Sequence, residues 1–234
     1  MPLKILIMNK LLLGLFIISF VLPSCEKDNY DVPTAGLSGT FIDALTKQPI
    51  EQDIINGTTI ELLEKGYNPV TPQYLIVKNN GSYENSQLFA NTYTVRPVRG
   101  NFIDIPAQEV VIKGQTILDF VVTPYIRVKE ANISKVGTKV IATFKLEQNV
   151  LTPIRKISLY AHSDSRLGEG MRLVVSEKII NVASVPNTIY TIEMDLPSNS
   201  STLKPGLGYY FRVGALINVP EAKPNYAPAV KLVI

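Results

Sequence analysis

The 234-residue chain has no tryptophan, one cysteine and one histidine. A single cysteine excludes an internal disulfide. With His162 as the sole histidine, no His/Cys spacing exists for a metal. Acids are scattered: Glu61/Glu64 and Asp104/Glu109 are pairs, without the clustered oxygens that a calcium cage needs. No metal and no cofactor are therefore expected. Gly168-Glu169-Gly170 lacks the third glycine and the strand-to-helix context of a dinucleotide site, and reads as a loop. The net charge of +3 is too small a basic field to argue for nucleic acid. No apolar run reaches the ~20 residues of a membrane-spanning helix.

What is present begins with a secretory layout. Lys4 and Lys10 precede Leu11 to Leu22, an uncharged apolar run, so residues 1–24 read as a signal peptide. A retained anchor helix is the competing reading, and the run is short for it. Leu22-Pro23-Ser24-Cys25 resembles a lipobox, in which the cysteine is lipidated and becomes the new N-terminus. An incidental cysteine in a discarded signal is the alternative. Lipidation would account for the unpaired thiol and would hold the protein stably, because two or more acyl chains anchor where one does so only marginally. Removing residues 1–24 also removes Lys4 and Lys10, and the balance falls from +3 to +1. Residues 25–34 form a polar tether opening on Glu26-Lys27-Asp28-Asn29-Tyr30-Asp31. Similar tracts occur in surface-exported lipoproteins of the Bacteroides type, though a solvated spacer would look the same.

From Gly36 onward, short runs rich in Val, Ile, Thr, Tyr and Phe alternate with Gly, Pro and Asn, and no helix pattern stands out. That spacing predicts an all-β fold of two tandem β-sandwiches. In the first, residues 35–124, strands are expected at Leu37–Ile42, Thr58–Leu63, Tyr74–Val77, Asn91–Val98 and Thr116–Val122, with Leu118, Phe120 and Val122 on one face. Asn80-Gly81 predicts a hairpin, since both residues tolerate positive φ. Gly39-Thr40-Phe41-Ile42-Asp43 and Thr46-Lys47-Gln48-Pro49-Ile50 resemble the opening of the carboxypeptidase-regulatory, transthyretin/prealbumin-like sandwich. Phe41 stands for the usual Val, and Gln48 lies near the customary Gly. Asn80-Gly81-Ser82-Tyr83, Leu88 and Asn91-Thr92-Tyr93-Thr94-Val95 are similar to that family's later motif, with Asn91 for Gly. Such modules carry no active site of their own.

In the second block, residues 125–234, Val140, Ala142, Phe144 and Leu146 share one face, as do Ile157, Leu159 and Ala161, and Tyr190, Ile192, Met194 and Leu196. Leu203 to Ala215 resembles the E–F corner and F strand of immunoglobulin/fibronectin-III-like domains, with Tyr209 as the corner tyrosine. The tryptophan common in that fold is missing, so Phe144 or a neighbour must fill its volume. The two halves together resemble two-domain Bacteroides-type lipoproteins of unknown function that accompany starch-utilisation-system-like loci. That resemblance implies an outer-membrane, surface-exposed protein, with a transporter/glycan-binding protein pair and polysaccharide as partners.

No catalytic residues are expected. His162 should face outward with Ser158 and Tyr160, and the best acids, Glu193 and Asp195, should lie on the other sheet, too far for a dyad. For sugar binding, Tyr67, Tyr74, Phe102 and Tyr226 lie near turns and are the aromatic candidates, although aromatics in sandwiches are commonly core residues. Arg96 and Arg99 form a small basic edge or a charge-protected edge strand. Asn56, Asn80, Asn132 and Asn199 open Asn-x-Ser/Thr triplets that read as turns. The expected function is non-enzymatic: an accessory in glycan capture or uptake. A structural adhesin or pilus-type subunit is the alternative, motivated by the strand-like Ala229–Ile234, and a hydrolase with converging acids is a third reading.

Overall fold

Alternation of apolar and polar residues, broken by Gly, Pro and Asn, produces sixteen strands in the computed structural model of the protein, which describes residues 31–234. The signal segment and Cys25 lie outside the described residues. One 3-10 turn, Pro197–Asn199, is the only helical element among them. None of their helices is long and apolar enough to cross a membrane.

The first eight strands are β1 (Ala35–Asp43), β2 (Thr59–Glu64), β3 (Gln73–Ile76), β4 (Ser82–Leu88), β5 (Asn91–Val98), β6 (Gln108–Ile112), β7 (Gln115–Ile117) and β8 (Phe120–Val122). They build two sheets, β4-β1-β7 with β8 also on β1, and β3-β2-β5-β6. Strand β1 runs antiparallel to β4 and parallel to β7 and β8. Period-two alternation sends Leu37 and Phe41, Ile60 and Leu62, and Tyr93 and Val95 inward. Phe41 stacks between Phe102 and Phe120, with ring centroids 5.1 and 5.0 Å away. Offset aromatic pairs of this kind add about 0.5–1.5 kcal/mol beyond their buried area.

One turn expectation needs correction. Asn80-Gly81 does make a tight turn, with Gly81 N–H donating to Lys78 O and Gly81 at φ 82, but it joins strands of different sheets. Strand β3 pairs with β2 and β4 with β1, so no β3–β4 hairpin ladder forms. In the Asp43–Ile50 turn Lys47, next to Gln48, takes the left-handed conformation (φ 58). Asn91, which stands for the family's Gly, does not adopt positive φ. Its side chain donates to Glu64 Oε1 and Lys65 O, each at 3.0 Å, and ties the ends of β2 and β5 together.

The remaining strands are β9 (Ile126–Val136), β10 (Lys139–Gln148), β11 (Ile154–His162), β12 (Val174–Val182), β13 (Ile189–Asp195), β14 (Gly208–Ile217), β15 (Asn225–Tyr226) and β16 (Val230–Val233). Sheet β13-β10-β9 faces sheet β12-β11-β14, which is extended by β15 and β16. Phe144, Ile157, Leu159, Phe211, Val213 and Met194 fill the space between. Tyr209 accepts from Lys204 N–H at 2.9 Å and donates to Thr202 O, as a corner tyrosine does. The terminal segment Ala229–Ile234 supplies β16 to its own sheet, paired with β14. Residues Pro33–Ile234 form one unit by their internal contacts.

Candidate functional site

Two regions gather polar side chains, one on an open sheet face and one at the joint between the sandwiches. On the outer face of β3-β2-β5, register places Tyr74 and Arg96 on either side of Glu61. Tyr74 Oη donates to Glu61 Oε2 at 3.0 Å, and Arg96 Nη2 donates to Glu61 Oε1 at 2.9 Å. The hydrogen bond to Glu61, more than burial, raises the Tyr74 phenol above its ordinary value. Tyr74 stays 55% exposed although its hydroxyl is pinned, so the ring is both accessible and fixed. Ile76, on the same face and 60% exposed, extends the row by one rung opposite Thr59. Tyr67 is also exposed, in the loop between β2 and β3, where it lines a notch of ≈ 200 Å³.

The other two aromatic candidates are largely covered. Phe102 is buried in the aromatic cluster of the first sandwich, and Tyr226 is buried at the joint. Burial also corrects the reading of β11. Ser158 and Tyr160 do point away from the sandwich core, but they are covered rather than solvated. Loop 163–173 and segment 51–57 of the first sandwich lie over them, around Tyr160, Leu167 and Tyr226. His162 Nδ1 accepts from Asp164 N–H, and Glu193 pairs with Lys139 on the other sheet.

At the joint sits Arg212, fully buried on β14 opposite Tyr160. Its guanidinium donates to Ala227 O, Leu167 O, Gln52 O and Glu51 Oε2, and it lies 4.1 Å over the Tyr226 ring. Two of those acceptors, Gln52 and Glu51, belong to the first sandwich. Tyr226 Oη in turn donates to Asp53 Oδ2 at 2.7 Å and accepts from Glu169 N–H. Burial pulls the Arg212 guanidinium down, opposed by Glu51, Tyr226 and Asp53, and burial pushes the Tyr226 phenol well up. The Gly168-Glu169-Gly170 segment is the clasp over this network. A Cβ at Gly168 would meet the Asp53 carboxyl at 3.0 Å, and one at Gly170 would meet Ile55 at 2.7 Å.

A second tie is the Asp43–Arg127 pair. Arg127 donates from Nε and Nη2 to the two Asp43 oxygens at 2.6 and 2.8 Å, and from Nη1 to Glu147 and Asn149. A buried amide ladder completes the joint. Gln52 Nε2 donates to Asn101 Oδ1, Asn101 Nδ2 to Pro224 O, and Asn225 Nδ2 to Asn101 O.

Burial pushes the Asp43 carboxyl up, but the Arg127 guanidinium and the Leu45 N–H outweigh it and leave it below its ordinary 3.8. Asp43 therefore contributes stability that is complete above about pH 4 and fades as pH falls through its folded-state pKa. Asp43→Asn is expected to lower the urea midpoint more at pH 7 than at pH 3, because in acid the unfolded chain's carboxyl takes up its proton first and the stabilising difference shrinks. Equal losses at both pH values would contradict this assignment.

Among the described residues, no three His, Cys, Asp or Glu side chains converge as a metal site. Glu109 pairs with Lys65, and Arg99 sits in a left-handed turn (φ 57). Asn56, Asn80 and Asn199 lie outside the strands, but Asn132 lies within β9, so turns explain only three of the four triplets.

Two sandwiches locked by a buried polar joint define an all-β, two-domain protein. The chain belongs to the DUF3823 family: the model "protein of unknown function (DUF3823) N-terminal domain" matches residues 35–123, and "domain of unknown function (DUF3823_C)" matches residues 126–231. A Bacteroides uniformis crystal structure described as a "putative carbohydrate binding protein" is 35% identical, with a TM-score of 0.78 over 86% of this chain and 100% of its own. A DUF3823 protein from Parabacteroides merdae is 22% identical, with a TM-score of 0.73 over 86% of this chain and 100% of its own, and it shares the fold. Among curated proteins there is no match.

Proposed function

We propose that this protein is a non-enzymatic accessory of glycan capture, lipid-anchored through Cys25 and displayed at the outer-membrane surface beside a transporter/glycan-binding protein pair. The observation that carries the glycan reading is the Tyr74–Glu61–Arg96 row. Sugars present apolar C–H faces ringed by hydroxyls, so they suit an aromatic ring flanked by fixed polar groups. Tyr74 is such a ring, and its hydroxyl bond to Glu61 limits the rotamer freedom that binding would otherwise have to remove. Glu61 and Arg96 stand beside it as acceptor and donor.

The description of the Bacteroides uniformis relative supports the same reading. The strand order β13-β10-β9 against β12-β11-β14, with the Tyr209 corner, supports a fibronectin-III-like second sandwich. The positive φ of Lys47, at the turn where the transthyretin-like pattern carries Gly, supports that type for the first.

Tyr74→Ala is expected to weaken binding to a responsive member of a polysaccharide panel by about tenfold, equivalent to ~1.4 kcal/mol. Affinity electrophoresis and pull-down on insoluble glycans measure it. Unchanged retention in the variant, or no retention of the wild type by any glycan, would remove the basis for the proposal.

A further inference from the structure

A cleft of ≈ 580 Å³ opens where the two sandwiches meet, and a neighbouring one of ≈ 350 Å³ shares Lys129 and Glu147 with it. The larger falls within the ~300–1,000 Å³ typical of small-molecule sites, which favour domain interfaces. Both sandwiches line it: Leu45, Gln48 and Glu51 from the first, and Arg127, Lys129 and Pro228 from the second. Its walls are held in place by the joint, since Arg127 donates to Asp43 of the first sandwich and to Glu147 and Asn149 of the second.

We infer that this cleft is a second binding site, for a neutral oligosaccharide that lies across both sandwiches. Three features narrow the ligand. First, charge is balanced. Asp43 and Glu147 are neutralised by Arg127 and Lys129, and Glu51 by Arg212, so no net field selects an ion of either sign. Second, among the described residues, Glu51 alone of the three lining acids has a carboxylate oxygen without a partner. Its Oε2 takes the Arg212 bond, whereas Asp43 and Glu147 have both oxygens engaged. A half-buried carboxylate with one free oxygen is an acceptor suited to a sugar hydroxyl. Third, the rim mixes exposed Leu45 and Pro49 with Gln48, whose side-chain amide has no partner among the described residues. Apolar C–H faces and hydroxyls can both be met there. The shared residues of the two clefts give the groove a length that suits a chain of several units rather than one ring.

The inference rests on the glycan reading above but concerns different residues, and calorimetry on the purified protein can separate the two. Cello-, xylo-, manno- and malto-hexaose serve as probes, with the matching disaccharides. At least one hexaose is expected to bind tenfold or more tighter than its disaccharide. Gln48→Arg, which places a long cation in the cleft, should abolish that gain while leaving the thermal midpoint unchanged, and Glu51→Gln should weaken binding about tenfold. Hexaose binding that survives Gln48→Arg but disappears in Tyr74→Ala overturns the cleft and leaves the Tyr74 row standing. Binding lost in Gln48→Arg but retained in Tyr74→Ala supports the cleft and overturns the row. Silence toward every hexaose overturns the cleft outright.

Discussion

Arg212→Ala is expected to destabilise the protein by roughly 3–5 kcal/mol, the range found when one partner of a buried ion pair is removed. Arg212 is fully buried and bonds three backbone carbonyls as well as Glu51. Truncation strands all four acceptors and leaves a cavity against Tyr226. For a protein of this size the loss corresponds to a fall in Tm on the order of 10 °C. Arg212→Lys should recover little, because an ammonium cannot reproduce the planar fork that reaches Leu167, Gln52 and Glu51 together. Pairing Arg212→Met with Glu51→Gln should recover part of the loss by removing the unpaired charge. Thermal and urea melts of the four proteins decide this, and a single-variant loss below about 1 kcal/mol would refute the role given to Arg212.

Cys25→Ser is expected to move the protein almost completely from the membrane fraction to the soluble fraction and to abolish incorporation of labelled fatty acid. The expectation comes from the order of residues 1–25, with the basic start, the uncharged Leu11–Leu22 run and the lipobox-like Leu22-Pro23-Ser24-Cys25. Each buried methylene contributes ~0.8 kcal/mol, so losing two or more acyl chains removes far more affinity than any surface contact could restore. The urea melt of the two sandwiches should not change, since β1 begins only at Ala35. Persistent membrane association after salt washing, or persistent label, would mean that Cys25 is not the anchor.

The sequence reveals the sandwiches more readily than their joint. Alternation is local, so the inward sets Val140-Ala142-Phe144-Leu146 and Ile157-Leu159-Ala161 could be read residue by residue, and both are core. The joint depends on residues far apart in the chain: Glu51 with Arg212, Asp53 with Tyr226, Asp43 with Arg127. No periodicity links them. A signal did exist, because the outer faces of β11 and β14 carry Tyr160 and Tyr210, more aromatic surface than a strand facing water requires. Treating the outward side of a sandwich as solvent missed it. The Tyr74 row was legible in pieces. Tyr74, Glu61 and Arg96 each stand out for separate reasons, but only strand register puts them on one rung. Phe102 and Tyr226 misled because proximity to a turn does not determine which way a ring points.

The parallel pairing of β1 with β8 has a mechanical consequence. Phe41, Ile42 and Asp43 lie alongside Phe120, Val121 and Val122, with the two strands pointing the same way. A pull that enters ahead of Ala35 and leaves through the second sandwich drags β1 and β8 in opposite senses along their length. The ladder is then sheared, its hydrogen bonds sharing the load at once, rather than peeled open one bond at a time. Such a strand pair resists extension along the line that runs from Ala35 into the second sandwich.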